Sequence, residues 1–370
     1  MDTHQPTQLR YTDWTFAETV FEPQQLQTRE TVFTIGNGYL GTRGSFEEGY
    51  PHAAPATLIH GVYDDAPVVY TELVNCPDWL PLVIEVDGDR FRLDQGEILS
   101  YERQLDLRYG LLSRAVRWRS PSGKTMDLQF ERFASLADPH VMALRCHITS
   151  VDADAVIEMQ SSINGYPENQ GFNHWEWINQ GKVNHGVWLQ VKTRASHIEL
   201  GIATDVAVSG VEASLQVTSA PGYPTLSTAF MATVGRTITI EKTIAVFTSR
   251  ETANPVQAAQ TKLVELPDYD ALLTAHKQAW DAIWQRSDIV IEGDVRAQLA
   301  VRYNLFQLLI SAPQTDDRVS IPAKTLSGFG YRGHIFWDTE IFILPFFTFT
   351  QPELARNLLT YRYHTIEGAR

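Results

Sequence analysis

"LPLVIEVDGDRFRLD", residues 80–94, alternates apolar and polar side chains on both sides of Asp87-Gly88. An Asp-Gly step between two such runs is a strong hairpin signal, because the tight type I′ turn needs positive φ at both central residues. "RAVRWRSPSGKTMDLQFERF", 114–133, repeats the device with Ser-Pro-Ser-Gly as the turn. Working outward, "HVMALRCHIT" (140–149), "AVIEMQSSI" (155–163), "VWLQVKT" (187–193), "HIELGIAT" (197–204) and "TITIEKTIAVFTS" (237–249) continue the series. From Tyr11 to Ser249 no helix-length periodic segment interrupts them, so an antiparallel β-sandwich is expected. About 240 residues is large for one sandwich, which predicts two big stacked sheets.

The grammar changes near Glu251. "YDALLTAHKQAWDAIWQRS", 269–287, places Leu272, Leu273, His276, Trp280, Ile283 and Trp284 on one helical face. Asp294 caps the next helix, "DVRAQLAVRYNLFQLLISA", which Pro313 closes; its apolar residues run around much of its girth, so burial on most sides is expected. "DTEIFILPFFTF" and "QPELARNLLTYRYHTIEGAR" read as helices too, the second with Pro352 in its first turn. Leu358, Leu359 and Ile366 have no evident partner. Either these helices dock on the sandwich or the chain is the front part of a longer protein, and the second reading is favoured.

Composition narrows the class. Of 370 residues, 44% are apolar and 20% charged, ordinary for a globular protein. The balance of 44 acidic against 30 basic residues, a formal charge of −14, disfavours nucleic acid or an anionic membrane as partner. Cys76 and Cys146 form neither a disulfide framework nor a metal cluster and read as two reduced thiols. "MDTHQPTQLRYTDWTF" shows no secretory signal, and the longest apolar run, "IFILPFF" at 341–347, is far too short to span a bilayer. A cytoplasmic protein without metal or cofactor is the expectation. The 9 Trp, 14 Tyr and 17 Phe include tryptophans in polar company, as in "NHWEW" at 173–177. Half-polar ligands such as sugars suit such rings, as does a large β-rich core.

"TIGNGYLGTRGSFEEG", 34–49, contains Gly36-x-Gly38-x-x-Gly41, the spacing of a dinucleotide-binding loop. That fingerprint needs a strand before it, a helix opening within it and an acid roughly 20 residues on. "ETVFTI" could be the strand and Asp64 or Asp65 the acid, but Gly41, Gly44, Gly49, Pro51 and Pro55 occupy the helix position. A nucleotide site is therefore disfavoured. Two readings stay open: glycines turning a tight corner where φ > 0 is required, which is favoured, or a loop whose amides, with Arg43, lie near a ligand pocket.

Residues 320–345, "SIPAKTLSGFGYRGHIFWDTEIFILP", crowd Arg332, His334, Asp338 and Glu340 among Tyr331, Phe336, Trp337, Ile341 and Phe342. Charge in such company is costly unless paired or bound to something polar. One reading is an ion-pair network, Arg332 with Asp338 or Glu340, fixing a helix start. The other is a glycosidase-type site, but residues two apart on a helix point to opposite sides. Asp338 then faces a pocket beside Trp337, Glu340 supports the scaffold, and the proton donor lies elsewhere. A carboxylate gripping hydroxyls next to an indole face suits a sugar.

"YRGHIFWDTEIFILPFF", with "IPAKTLSG" before it and "QPELARNLLTYRY" after, resembles the inverting α-glucoside phosphorylases and trehalases of glycoside hydrolase family 65. Maltose, kojibiose, nigerose and trehalose phosphorylases belong there. "ETVFTIGNGYLGTRGSFEEG", "ELVNCPDW", "YERQLDLRYGLLSR" and "WQRSDIVIEGD" extend the likeness over nearly the whole chain. The resemblance implies a multidomain β + α fold: an N-terminal β-sandwich at 11–250, a helical linker at 251–290, and from 291–370 the first helices of a truncated (α/α)6 barrel. It implies that Trp337 and Asp338 bind the non-reducing glucosyl unit, with Arg332 and His334 lining or bracing that pocket and Glu340, Phe329 and Tyr331 supporting it. Phe329 departs from relatives that carry an acid there, which leaves the acceptor sugar open.

Members use one glutamate as general acid while inorganic phosphate, a co-substrate rather than a cofactor, attacks the anomeric carbon. The resemblance places that glutamate and the phosphate loop after residue 370, so this chain alone is expected to be inactive. Members also pair through their sandwiches, which implies a homodimer. A trehalase-like hydrolase using water, and a non-catalytic carbohydrate-binding fragment, are the alternatives; phosphorolysis of a disaccharide is favoured.

Overall fold

The computed structural model describes residues 9–66 and 70–370, so the first eight residues of the stretch read for a signal lie outside it. Three antiparallel sheets are formed by the described residues. Ten strands make the largest, in spatial order Leu9–Tyr11, Thr15–Glu18, Glu97–Asp106, Leu111–Arg119, Thr125–Ala134, Val141–Ser150, Thr237–Thr248, Glu199–Ser209, Gly186–Thr193 and Trp175–Val183. Five strands face it, ordered Gln216–Ala220, Tyr223–Ala232, Ala155–Ser162, Leu82–Val86 and Asp89–Arg90. A smaller sheet takes Ile35–Gly36, Leu40–Thr42, Thr57–Ala66 and Tyr70–Asn75.

The opening hairpin forms as its sequence requires. Asp87 and Gly88 have φ of 50° and 86°, and Glu85 pairs with Arg90 across the turn. Inward residues of the two larger sheets, among them Trp118, Leu128, Phe130, Ile148, Ile84, Ile157, Met159 and Leu226, share one buried core. Each such side chain contributes about 1.5–3 kcal/mol by leaving water.

Several local expectations need correction. Beside the two large stacked sheets expected, the described residues form a third, smaller one. A helix, α1 (Leu26–Val32), follows a 3-10 turn at Pro23 and interrupts the β half, so "ETVFTI" is mostly helix end rather than strand. Trp175–Val183 escaped notice because it is an edge strand, largely exposed and bulged between Trp177 and Asn179, so no alternation marks it. The hairpin Gln216–Ala220/Tyr223–Ala232 was hidden by its polar first strand.

Beyond Thr248 come α2 (Pro255–Glu265), α3 (Tyr269–Ser287), α4 (Val295–Ser311), α5 (Leu344–Thr350), α6 (Pro352–His364) and the short α7 (Ile366–Ala369). Asn254, Asp268 and Asp294 cap the first three by accepting a hydrogen bond from the backbone three residues on. The helices do dock on the sandwich. Phe16, Phe33, Leu105 and Leu112 from the β half share a core with Trp280, Trp284, Phe306 and Phe347 from the helices. Leu358 is buried in that core, whereas Leu359 and Ile366 remain exposed.

The glycines of 34–49 make the joint. Only Gly38 of Gly36, Gly38, Gly41 and Gly44 has positive φ, 83°, and its N–H donates to the Ile310 carbonyl at the end of α4 (2.7 Å). A Cβ on Gly41 would lie 2.5 Å from the Leu326 side chain, and one on Gly44 2.5 Å from Phe33. Close approach of two layers, more than turn geometry, is what demands glycine. Beneath them sits a buried ionic cluster: Arg114 binds Glu47 and Glu48, Arg132 binds Glu47 and the Arg43 carbonyl, and Arg103 binds Glu18 and the Gly44 carbonyl.

Candidate functional site

The segment after α4 is moulded on the small sheet. Tyr331 and Arg332 have φ of 52° and 55°, and Gly333 follows at 72°. Consecutive left-handed residues cost about 1–3 kcal/mol each when they are not glycine and persist only where their surroundings dictate them. Here the Tyr63 hydroxyl donates to the Gly333 carbonyl, and His334 Nε2 bonds the Thr71 carbonyl at 2.7 Å. The Arg332 guanidinium lies over the Tyr70 ring. A Cβ on Gly333 would meet Leu73 at 2.3 Å. The hairpin Thr57–Ala66/Tyr70–Asn75 thus dictates the loop's shape.

The loop delivers Trp337 and Asp338 to the start of a π-helical turn, Thr339–Ile343, a wound segment common at functional sites. Buried Thr339 donates its hydroxyl to the Ile321 carbonyl (3.1 Å). Glu340 forms a bidentate pair with Arg362 of α6 (2.9 and 2.8 Å), and Arg362 also donates to the Phe336 carbonyl at 2.7 Å. One guanidinium therefore fixes the backbone on both sides of the Trp337-Asp338 step. Trp337 is 65% exposed, inclined against Phe342, and Asp338 is exposed beside it.

Arg362, not Arg332, is the cation that neutralises Glu340. Arg332 and His334 are engaged by the small sheet, and no hydrogen bond or ion pair among the described residues joins either to Asp338. Tyr331 packs edge-on against Phe336, with Lys324 Nζ over its ring. Phe329 is half-buried against Leu58, Leu73 and Leu326, and lines a cleft away from Trp337. Arg362 escaped assignment because 22 residues separate it from Glu340 and no local pattern links them. Tyr63 and Tyr70 were masked by a far greater distance, Tyr63 lying 270 residues from its partner Gly333. The free thiols of Cys76 and Cys146 are buried, no group of described residues has the arrangement of a metal site, and no described helix is long and apolar enough to cross a membrane.

A large antiparallel β domain carrying this order of helices is shared with a solved structure, a candidate kojibiose phosphorylase from the human microbiome. The TM-score is 0.90 at 25% identity, over 97% of this chain and 50% of that one. The chain belongs to glycosyl hydrolase family 65: the family's N-terminal domain matches residues 16–283 and its central catalytic domain residues 302–370. The kojibiose phosphorylase of Halothermothrix orenii is 36% identical over 97% of this chain and 48% of its own length. The α,α-trehalose phosphorylase of Thermoanaerobacter brockii is 33% identical over 97% of this chain and 50% of its own. The chain spans about half the length of the curated relatives it matches.

Proposed function

We propose that the whole protein cleaves an α-glucosyl disaccharide by inverting phosphorolysis. In this reading Trp337 and Asp338 hold the non-reducing glucosyl unit, the indole against the ring face and the carboxylate accepting from its hydroxyls. Glu340, committed to Arg362, is not available as an acid. A glutamate beyond residue 370 protonates the glycosidic oxygen as the C1–O bond breaks, and a phosphate oxygen bonds C1 from the opposite face. An α-linkage then yields β-glucose 1-phosphate and a free sugar. Arg332, His334 and Tyr331 brace the loop that carries the pair, while Phe329 turns away from it into a separate cleft.

The observation carrying this reading is the exposed Trp337–Asp338 pair on a frame held by Glu340 and Arg362. Phosphorylases at 31–36% identity support phosphorolysis over hydrolysis. A homodimer through the sandwich belongs to the same proposal; Val156 and Met231, paired across strands and exposed, offer apolar surface for it. So does cytoplasmic residence, in keeping with two free thiols. The test is phosphate-dependent release of β-glucose 1-phosphate by the full-length protein from a panel of kojibiose, nigerose, trehalose and maltose. Release of free glucose at the same rate without phosphate contradicts the proposal.

A further inference from the structure

A second site lies at the seam between the sandwich and the 320–338 loop. α1, the Ala53–Pro55 turn, the 164–171 loop and Phe329–Gly330 surround a cleft of about 850 Å³. That is within the ~300–1,000 Å³ of small-molecule sites, which favour boundaries between structural units.

Its lining is specific in kind. Gln27 donates its amide to the His52 carbonyl (3.0 Å), which leaves its own carbonyl oxygen for a ligand. Asn164 accepts from the Tyr166 N–H (2.9 Å), leaving its NH2 group, and Asp78 accepts from the Leu80 N–H (3.0 Å) with one oxygen. Thr28, Glu168 and Gln170 present exposed polar side chains around the rim. Two rings join them: half-buried Phe329, and Tyr166, which is backed by Tyr223. Gln170 holds φ of 49° next to Gly171 at 94°, so the loop keeps a non-glycine residue in a left-handed conformation at the cleft edge.

The alternatives fail on chemistry. An anion would meet two carboxylates, Asp78 and Glu168, while Arg43, the cation among the described lining residues, is paired with Glu30 and bound to Thr31, the Ser327 carbonyl and the Gln27 backbone carbonyl (2.7, 2.8 and 2.9 Å). An apolar ligand would strand the amides. A neutral molecule rich in hydroxyls, each donating and accepting, matches amide, hydroxyl and carboxylate partners, and its apolar face matches the rings.

We infer that this cleft binds an uncharged saccharide, as a site separate from the Trp337–Asp338 pair. The inference rests on the lining alone and stands whether or not that pair holds a glucosyl unit. Arg43 bonds the Ser327 carbonyl and Phe329 forms part of the wall, so an occupied cleft rests against the loop that carries Trp337.

The test is ligand-observed NMR on the full-length protein in phosphate-free buffer, with kojibiose and, separately, maltoheptaose to distinguish a free disaccharide from a glucan chain. In Trp337→Ala protein a saturable signal persists with at least one of the two. Adding Thr28→Trp, which fills the cleft from an exposed position, weakens that binding at least tenfold. The double change Glu168→Ala/Gln170→Ala, confined to exposed side chains, does the same with an unaltered melting temperature. No signal from Trp337→Ala protein with either sugar, or a signal unchanged by both cleft variants, overturns the inference.

Discussion

At the scale of single residues, exposure and anchoring separate chemistry from scaffold. Asp338 is exposed, so Asp338→Asn should leave the melting temperature unchanged. It should lower kcat/KM for disaccharide phosphorolysis about 10- to 100-fold, the worth of a charged hydrogen bond of roughly 1.5–3 kcal/mol. Arg362 differs. Arg362→Ala strands Glu340 and frees the Phe336 carbonyl, so it should lower both activity and stability, with Arg362→Lys recovering stability better than activity because it cannot grip bidentately. Steady-state kinetics beside thermal melts check both variants. Trp337, Asp338 and Glu340 stand out in the sequence as candidates because charge amid aromatics is anomalous wherever it falls. Arg362 and the tyrosines that shape the loop do not, since Arg362 lies 22 residues from its partner and Tyr63 lies 270 from its own.

Among elements, the seam between the sandwich and the helices is the testable unit. Gly41→Ala drives a methyl group to 2.5 Å from Leu326 and should destabilise by about 1–3 kcal/mol, as overpacking does. Gly49→Ala meets nothing within 4 Å and carries only the cost of its φ of 74°, about 1 kcal/mol. Equal losses in chemical denaturation would contradict a seam held by close approach. The strands with one buried face were legible through alternation, α3 through its apolar face, and α4 through its Asp294 cap. The edge strand Trp175–Val183 and the polar strand Gln216–Ala220 lacked that asymmetry, so period-two reading had nothing to detect. The absence of a helix opening within the glycine cluster was legible from its Gly and Pro density. Its seat against α4 and Leu326 needed the third dimension.

Over the whole molecule, two buried histidines join the halves and set an acid limit. His276 of α3 accepts from the Leu136 N–H at 3.0 Å and donates to the Tyr109 carbonyl, and His60 bonds the Ser311 carbonyl at 2.7 Å. Burial pushes both imidazoles down to about 4 from the ordinary 6.5. The unfolded chain therefore binds more protons between those values, so stability is full above pH 6.5 and falls as pH drops toward 4. Melting temperatures across that window should show the fall, and His276→Gln should flatten it; an unchanged slope contradicts the assignment. Beside Trp337, the helical half leaves Ile341, Phe342, Phe349 and Tyr363 exposed, surface that further helices of the whole protein would cover in the proposed barrel. The most direct measurement of the central claim is a crystal structure of the full-length protein with glucose bound. A pyranose ring lying on the Trp337 indole with a hydroxyl within hydrogen-bond reach of Asp338 is the predicted result; glucose held in the barrel without contact to either residue would contradict it.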